Sequence, residues 1–344
     1  MTELIPLTLQ DAPALIEGVF PAQKVSFEAQ TERKAGAAQT LTGLGSYWKG
    51  RKPLILVRAI VLGSLLPQTD DHEKDLEIFE SLMGFDYEGL ARRALIQNAI
   101  KPKDFASLIA LGSPWDFFSY TIKASDISAE EVETWEFPFD ADAKGITMRW
   151  RRDIDDENKL VLYRKALATF SSYEEKASLC KRPEEVDQNW LYAPVWTRVN
   201  HHYAQFGINA HSHAELVEQL GILRYGHRPR AGDTFSGGGS IPFEAARVGC
   251  NAYAADLNPI ACMLTWGALN IIGAPKEQRS MYEDAQREVT QQVDKELIAL
   301  GVEHDDEGNR AKAYLYCLET RCPETGWMIP MLPSRIISPK HGTV

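Results

Sequence analysis

The sequence predicts an α/β fold, and three observations carry the prediction. Residues 231–261 read as strand, glycine-rich turn, helix, second strand and acid. The long stretch ahead of them is patterned mostly as helix. The tail 313–332 reads as two short apolar strands around a tight turn. A chain of 344 residues has room for two domains and for a core of useful size.

The helical region opens with mixed sequence through residue 50. Pro53 then starts an apolar run, Leu54 to Leu66, closed by Pro67. Proline suits a first turn, and a run this short does not span a bilayer, so a buried helix is expected. Asp70 to Met83 reads as an acidic amphipathic helix, with Leu76, Phe79 and Met83 on one face and Gly84 as its stop. Residues 85–130 read as helices with loops. Residues 131–160 are less regular and carry the charged stretch Arg149 to Glu157, a turn solvated by its own opposed charges. From Leu160 to Phe206 the pattern is helical, with Gly207 placed as a C-cap glycine. Ser212-His-Ala-Glu215 matches a capping box and starts a helix through about Leu223. Beyond the central unit, Tyr282, Ala285, Val289, Val293 and Leu297 recur at steps of three and four, which makes Lys276 to Leu300 an amphipathic helix ended by Gly301.

The central unit carries the chemistry. Ala231 to Phe235 is a short strand, and Gly237, Gly238 and Gly239 follow it, where the chain must turn sharply and a ligand can touch the backbone. Ser240 to Arg247 is a helix with Pro242 in its first turn, and Gly249 ends it. Asn251 to Ala255 is the second strand, with Asp256 at its carboxyl end. Sheets of this type bind nucleotides at the carboxyl ends of their strands, and an acid in this place can accept both ribose hydroxyls. The turn is Asp-x-Phe-x-Gly-x-Gly, not the Gly-x-Gly-x-x-Gly that receives a pyrophosphate. An aspartate at the strand end repels a diphosphate but can hold the cationic amino-acid end of S-adenosylmethionine. The candidate cofactor residues are Asp233, Thr234, Phe235, Ser236, Gly237, Gly238, Gly239, Ser240, Asp256, Leu257 and Asn258. In this reading Leu257 packs on the adenine ring and Asn258 shapes its pocket. The competing reading is a glycine-rich turn in another kind of α/β domain.

Asp233-Thr-Phe-Ser-Gly-Gly-Gly239 resembles motif I of DNA amino-methyltransferases, Asp-Pro-Phe-x-Gly-x-Gly-Thr, with Thr234 and Ser240 in place of Pro and Thr. Three blocks together resemble the adenine-specific DNA methylases that carry a zinc ribbon and begin with a domain of unknown function, some of them encoded in anti-phage gene clusters. These blocks are Asp233 to Gly267 with Asp256-Leu-Asn-Pro259, Tyr47-Trp48-Lys-Gly-Arg51-Lys52-Pro53-Leu54 with Arg58-Ala59, and Arg321-Cys-Pro-Glu-Thr-Gly-Trp327. Weaker likeness at Tyr163 and at Cys180 to Glu184 extends the resemblance over most of the chain. It implies a partial Rossmann-like, S-adenosylmethionine-dependent methyltransferase fold with a zinc-ribbon-like C-terminal hairpin. It also implies methyl transfer to the exocyclic amino group of a flipped adenine in DNA, within a restriction-like defence system.

The family's catalytic (Asp/Asn/Ser)-Pro-Pro-(Tyr/Phe/Trp) string is absent. Ser113-Pro-Trp-Asp116 and Ala193-Pro-Val-Trp196 each hold one proline and precede the turn. No catalytic residue is assigned, and the chain alone is expected to be inactive: a truncated or split enzyme completed by a downstream polypeptide or by defence-complex subunits. Two other functions stay open, a non-catalytic remnant or assembly subunit, and an RNA or small-molecule methyltransferase.

Smaller signals complete the reading. Cys317 and Cys322 are weak zinc candidates, but a structural zinc site needs four ligands and Thr325 stands at the second knuckle cysteine, so no zinc is expected. His201, His202, His211 and His213 lack a completing ligand and are expected to be exposed helix and cap residues. Trp48, Lys49, Arg51, Lys52 and Arg58 form a basic patch beside an aromatic, a candidate contact for DNA phosphate. The net charge of −11 argues against coating nucleic acid by bulk charge and leaves room for a local basic groove or for partners that supply the positive field. Five scattered cysteines fit a reducing compartment, with Cys250 and Cys262 as core thiols. The N-terminus lacks signal-peptide character and no apolar run reaches about 18 residues, so a cytoplasmic protein without a membrane partner is expected. The expected organisation is a helical family domain at 1–130, a helical connector at 131–207, the cofactor core at 208–275, and a helix plus hairpin at 276–344.

Overall fold

The structure, a computed structural model, describes residues 5–8, 12–35, 51–123, 125, 127–311 and 316–332. Helix α1 (Ala22–Lys34) precedes α2 (Leu54–Leu65), the helix of the apolar run. Leu54, Ile55, Ala59, Leu62 and Leu65 of α2 are all buried. Pro53 cannot cap with a side chain, so the carboxylate of Glu32 on α1 does so, accepting from the backbone N–H of Leu54 (2.8 Å) and Ile55 (3.1 Å). Next comes α3 (His72–Met83), capped by the Asp71 side chain and stopped by Gly84 in the left-handed region. Then follow α4 (Tyr87–Gln97) and α5 (Pro102–Leu108). The buried pair of Arg93 and Glu28, at 2.8 Å, ties α4 to α1.

The middle of the chain departs from expectation. β1 (Phe118–Ile122) and β2 (Ile146–Trp150) pair antiparallel around α6 (Ala129–Glu133), with Phe118 opposite Trp150 and Ile122 opposite Ile146. Arg149 and Trp150 therefore lie in a strand, not in a charged turn. The sheet is held by aromatic packing: the Phe118 ring lies 4.5 Å from that of Trp150 and 5.7 Å from that of Phe137. Helices α7 (Asp156–Ala168), α8 (Tyr173–Ser178), α9 (Gln188–Tyr192), α10 (Val195–His202) and α11 (His213–Tyr225) follow. Ser212 caps α11 by accepting from Glu215 N–H (3.2 Å), while Glu215 reaches one residue further back than a capping box, to His211 N–H (2.7 Å).

The central unit is β3 (Arg230–Asp233), α12 (Ser240–Arg247), β4 (Asn251–Ala254) and α13 (Pro259–Gly267). β3 and β4 run parallel, with Arg230 opposite Asn251 and Asp233 opposite Ala254. Among the described residues this sheet has two strands, so the chain is a mixed α/β protein with small sheets rather than one with a wide doubly wound sheet. The remaining elements are α14 (Lys276–Leu300) and a hairpin of β5 (Glu319–Arg321) and β6 (Met328–Pro330).

The chain divides into two compact units, Met1–Ala274 and Pro275–Val344. In the first, one core joins Leu62, Phe79, Val199, Leu216 and Ala245, and a second joins Leu90, Phe105, Phe118, Ile146 and Leu160. Both cores draw on residues either side of 130, and the first also on residues either side of 207. In the second unit α14 has no buried residue, although its apolar stripe follows the helical period. Among the described residues no helix is long and apolar enough to cross a membrane.

Candidate functional site

An eight-residue helix is too short to be stable alone, so α12 depends on what it packs against. Glu244 on α12 and Arg58 on α2 are 0% and 2% exposed and joined at 3.0 Å. Arg58 also donates to the Tyr192 hydroxyl (2.7 Å). Arg247 donates to the same carboxylate through Nε (2.6 Å) and Nη2 (2.8 Å). Arg58 is thus a buried tie between helices, not the surface phosphate contact expected from its basic neighbourhood.

That tie fixes the turn at the other end of α12. Asp233 closes β3 and accepts from Phe235 N–H (3.0 Å). Ser236 N–H donates to Ala255 O (3.0 Å) and Gly239 N–H to Ser236 O (2.8 Å). Thr265 of α13 donates its hydroxyl to Ser236 Oγ (3.2 Å). Gly239 has a φ of +78°, and a Cβ there would stand 2.9 Å from Thr265 Cα, so only glycine lets α13 pass this close.

Asp256 folds back on the turn. Its Oδ2 accepts from Gly237 N–H (2.8 Å) and its Oδ1 from Asn258 N–H (2.9 Å). The backbone donors of Asn258 and Gly237 hold this carboxyl below the usual carboxylate range. The Asn258 side chain turns the other way and caps α13 by accepting from Ile260 N–H (2.9 Å). It therefore acts as a helix cap and does not line the cavity at the turn.

That cavity, of about 260 Å³, is lined by Asp233, Phe235, Ser236, Gly237, Gly238 and Ser240, together with Arg51 and Lys52. Thr234, Gly239, Asp256 and Leu257 are not in its wall. Phe235 and Leu257 are 80% and 96% exposed. Ser240 is buried, and its Oγ has no hydrogen-bond partner among the described residues. Arg51 and Lys52 thus stand with the glycine turn and apart from Arg58. Nothing local in the sequence announces this, because α2 reaches the turn only through its packing on α12. Trp48 lies outside the described residues.

The histidines also differ from expectation. His202 Nε2 meets the fully buried Asp75 at 2.7 Å, and His213 Nε2 meets Leu82 O at 2.9 Å. Burial, then the charges of Arg58 and Arg247, push the His213 pKa down to about 3. His201 and His211 are exposed as expected. Cys250 is buried, and its burial pushes the thiol up to about 11, whereas Cys262 is exposed and not a core thiol. Among the described residues no group of three His, Cys, Asp or Glu side chains could hold a metal, and Cys317 and Cys322 are not in one. The single-proline strings at Ser113 and Ala193 do not line the cavity at the turn.

A family model described as "Protein of unknown function (DUF1156)" matches residues 19–82. The match takes in α1, α2 and all but the last residue of α3, and it stops well short of the glycine turn. No curated protein and no solved structure matches the chain.

Proposed function

We propose that this chain binds S-adenosylmethionine at the turn between β3 and α12, as the cofactor-binding part of a DNA adenine methyltransferase. The observation that carries the reading is the clasp of Asp256 on Gly237: the acid after the second parallel strand is bonded to the glycine turn after the first (2.8 Å). Such an acid is the group that can take ribose hydroxyls at the carboxyl end of a nucleotide-binding sheet.

The cavity wall fits the amino-acid end of this cofactor, which is a zwitterion. Asp233 supplies a carboxylate for its ammonium. Arg51, Lys52, the Ser240 hydroxyl and the N-terminus of α12 supply donors for its carboxylate. At about 260 Å³ the cavity falls below the usual range for a whole ligand of this size, so it suits the methionine end alone. Asp256 and the exposed Leu257 are assigned to the adenosine end. When bound, the cofactor supplies an electrophilic methyl group to an acceptor amine, and the residues of this chain bind and orient it. The DNA acceptor rests on the motif resemblance.

One feature favours a second reading. The sequence contains no Pro-Pro pair, hence no tetrapeptide to hold an adenine amino group. On that reading the chain is a cofactor-binding subunit without turnover of its own. Calorimetric titration with S-adenosylmethionine tests the first claim, and the Asp256→Asn variant should bind at least tenfold more weakly. Methyl incorporation into duplex DNA separates the readings: saturable binding without incorporation supports the subunit, and no binding by the folded chain refutes both.

A further inference from the structure

A second cavity, of about 300 Å³, lies at the other end of α12 from the glycine turn. Its wall is formed by Arg58 and Arg247, by Tyr192 and Trp196, and by Ser212 and His213 at the start of α11, with Asn189 at the rim. No aspartate or glutamate lines it.

The charges around it leave a surplus. Arg58 and Arg247 share the single carboxylate of Glu244, at 3.0 and 2.6 Å. Outside the wall, Glu184 is paired with Arg182 (3.2 Å) and its charge also reaches Arg58, Glu215 accepts from His211 N–H (2.7 Å), and Asp187 caps α9 through Trp190 N–H (2.8 Å). Counting the residues of the wall and their direct ion pairs, two guanidinium groups meet one carboxylate. Among the described residues, Arg247 Nη1 and the backbone N–H groups of His213 and Ala214 have no acceptor. Those N–H groups open a thirteen-residue helix, whose dipole adds to the same sign. Burial first, and the charges of these two arginines after it, hold the His213 pKa down. The apolar side of the cavity is aromatic, with the rings of Tyr192 and Trp196 set edge-on to His213 at 4.5 and 5.4 Å between centroids.

We propose that this cavity binds a small aromatic anion, an aryl carboxylate or aryl phosphate, with its charge on Arg247 and the first turn of α11 and its ring beside Trp196. The volume admits a single ring with one anionic group and sits at the lower end of small-molecule sites. No residue of the glycine turn takes part, so this site stands independently of the cofactor reading.

Titrating the full chain with benzoate and with phenyl phosphate, and with benzamide as the neutral twin, tests it. At least one anion should bind tenfold more tightly than benzamide, and the tighter of the two identifies the anionic group. Asn189→Asp, at an exposed rim position, should weaken that anion at least fivefold and leave S-adenosylmethionine titrations as they are in the unaltered chain. Arg247→Met should weaken it further. If Arg247→Met fails to fold, the rim variant still decides. Anions that bind no better than benzamide, or that bind Asn189→Asp as tightly as the unaltered chain, would overturn the proposal.

Discussion

The two sides of α12 are built differently. On the α2 side, Glu244 and Tyr192 are each bonded to Arg58, and all three are at most 2% exposed. At its N-terminus the same helix opens into a turn with an exposed Phe235 and a Ser240 hydroxyl without a partner among the described residues. The contrast shows how an open turn can keep its shape. The turn keeps its geometry through its own bonds to Ala255 O, Asp256 and Thr265 and through a short helix that is anchored elsewhere. One short helix thus joins an open turn to a junction closed to water.

Glu244→Ala tests the junction and should have the largest effect. It leaves Arg58 buried without its carboxylate and should cost about 3–5 kcal/mol in denaturant unfolding. Replacing both partners, Arg58→Met with Glu244→Leu, should recover most of that loss, because the desolvation cost of the pair goes with it.

His213 gives the junction a pH signature. Its folded pKa of about 3 lies below its unfolded value of 6.5, so stability is complete above 6.5 and declines as pH falls toward 3. One such group accounts for a slope of about 1.4 kcal/mol per pH unit across that window. His213→Gln should flatten the acid limb of a stability–pH curve by that amount. Asp256 works in a lower window: its depressed pKa keeps it ionised, so its bonds to the turn persist at neutral pH and are lost only below the usual carboxylate range.

Smaller effects sharpen the contrast. Gly249 has a φ of +115°, and a Cβ there would lie 2.7 Å from Ala214 Cα, so Gly249→Ala should lose about 1–3 kcal/mol of stability. Its affinity for S-adenosylmethionine should change little, as it sits at the packed end of α12. Lys52→Ala should do the reverse: unfolding unchanged within about 0.5 kcal/mol, and affinity in a calorimetric titration lower by roughly threefold to tenfold, as expected for one charge-assisted hydrogen bond. A stability loss at Lys52 or an affinity loss at Gly249 would break the division between the two ends.

Much of this was legible in the sequence because it is local. Glycine stops at Gly84 and Gly301, the Ser212 cap and the strand–turn–helix–strand unit all depend on neighbours a few residues away. What was not legible is long-range. Arg58 and Glu244 are 186 residues apart, and His202 and Asp75 are 127 apart, so no window holds both partners. A cation in a basic stretch looks solvated until its buried acid is known. β1 and β2 escaped for a related reason. The apolar side chains Phe118, Tyr120 and Ile122 alternate as a strand requires, but over five residues that pattern is not separable from a buried helical segment. At the site, the turn and Asp256 were readable, whereas the approach of Arg51 and Lys52 depended on the packing of α2 against α12.

Titration of the full chain with S-adenosylmethionine, alongside Asp256→Asn, tests the central claim most directly. The clasp of Asp256 on Gly237 predicts one saturable site in the unaltered chain and at least tenfold weaker binding in the variant, with a cooperative unfolding transition in both. A folded chain that gives no saturable heat, or a variant that binds as tightly as the unaltered protein, would contradict it.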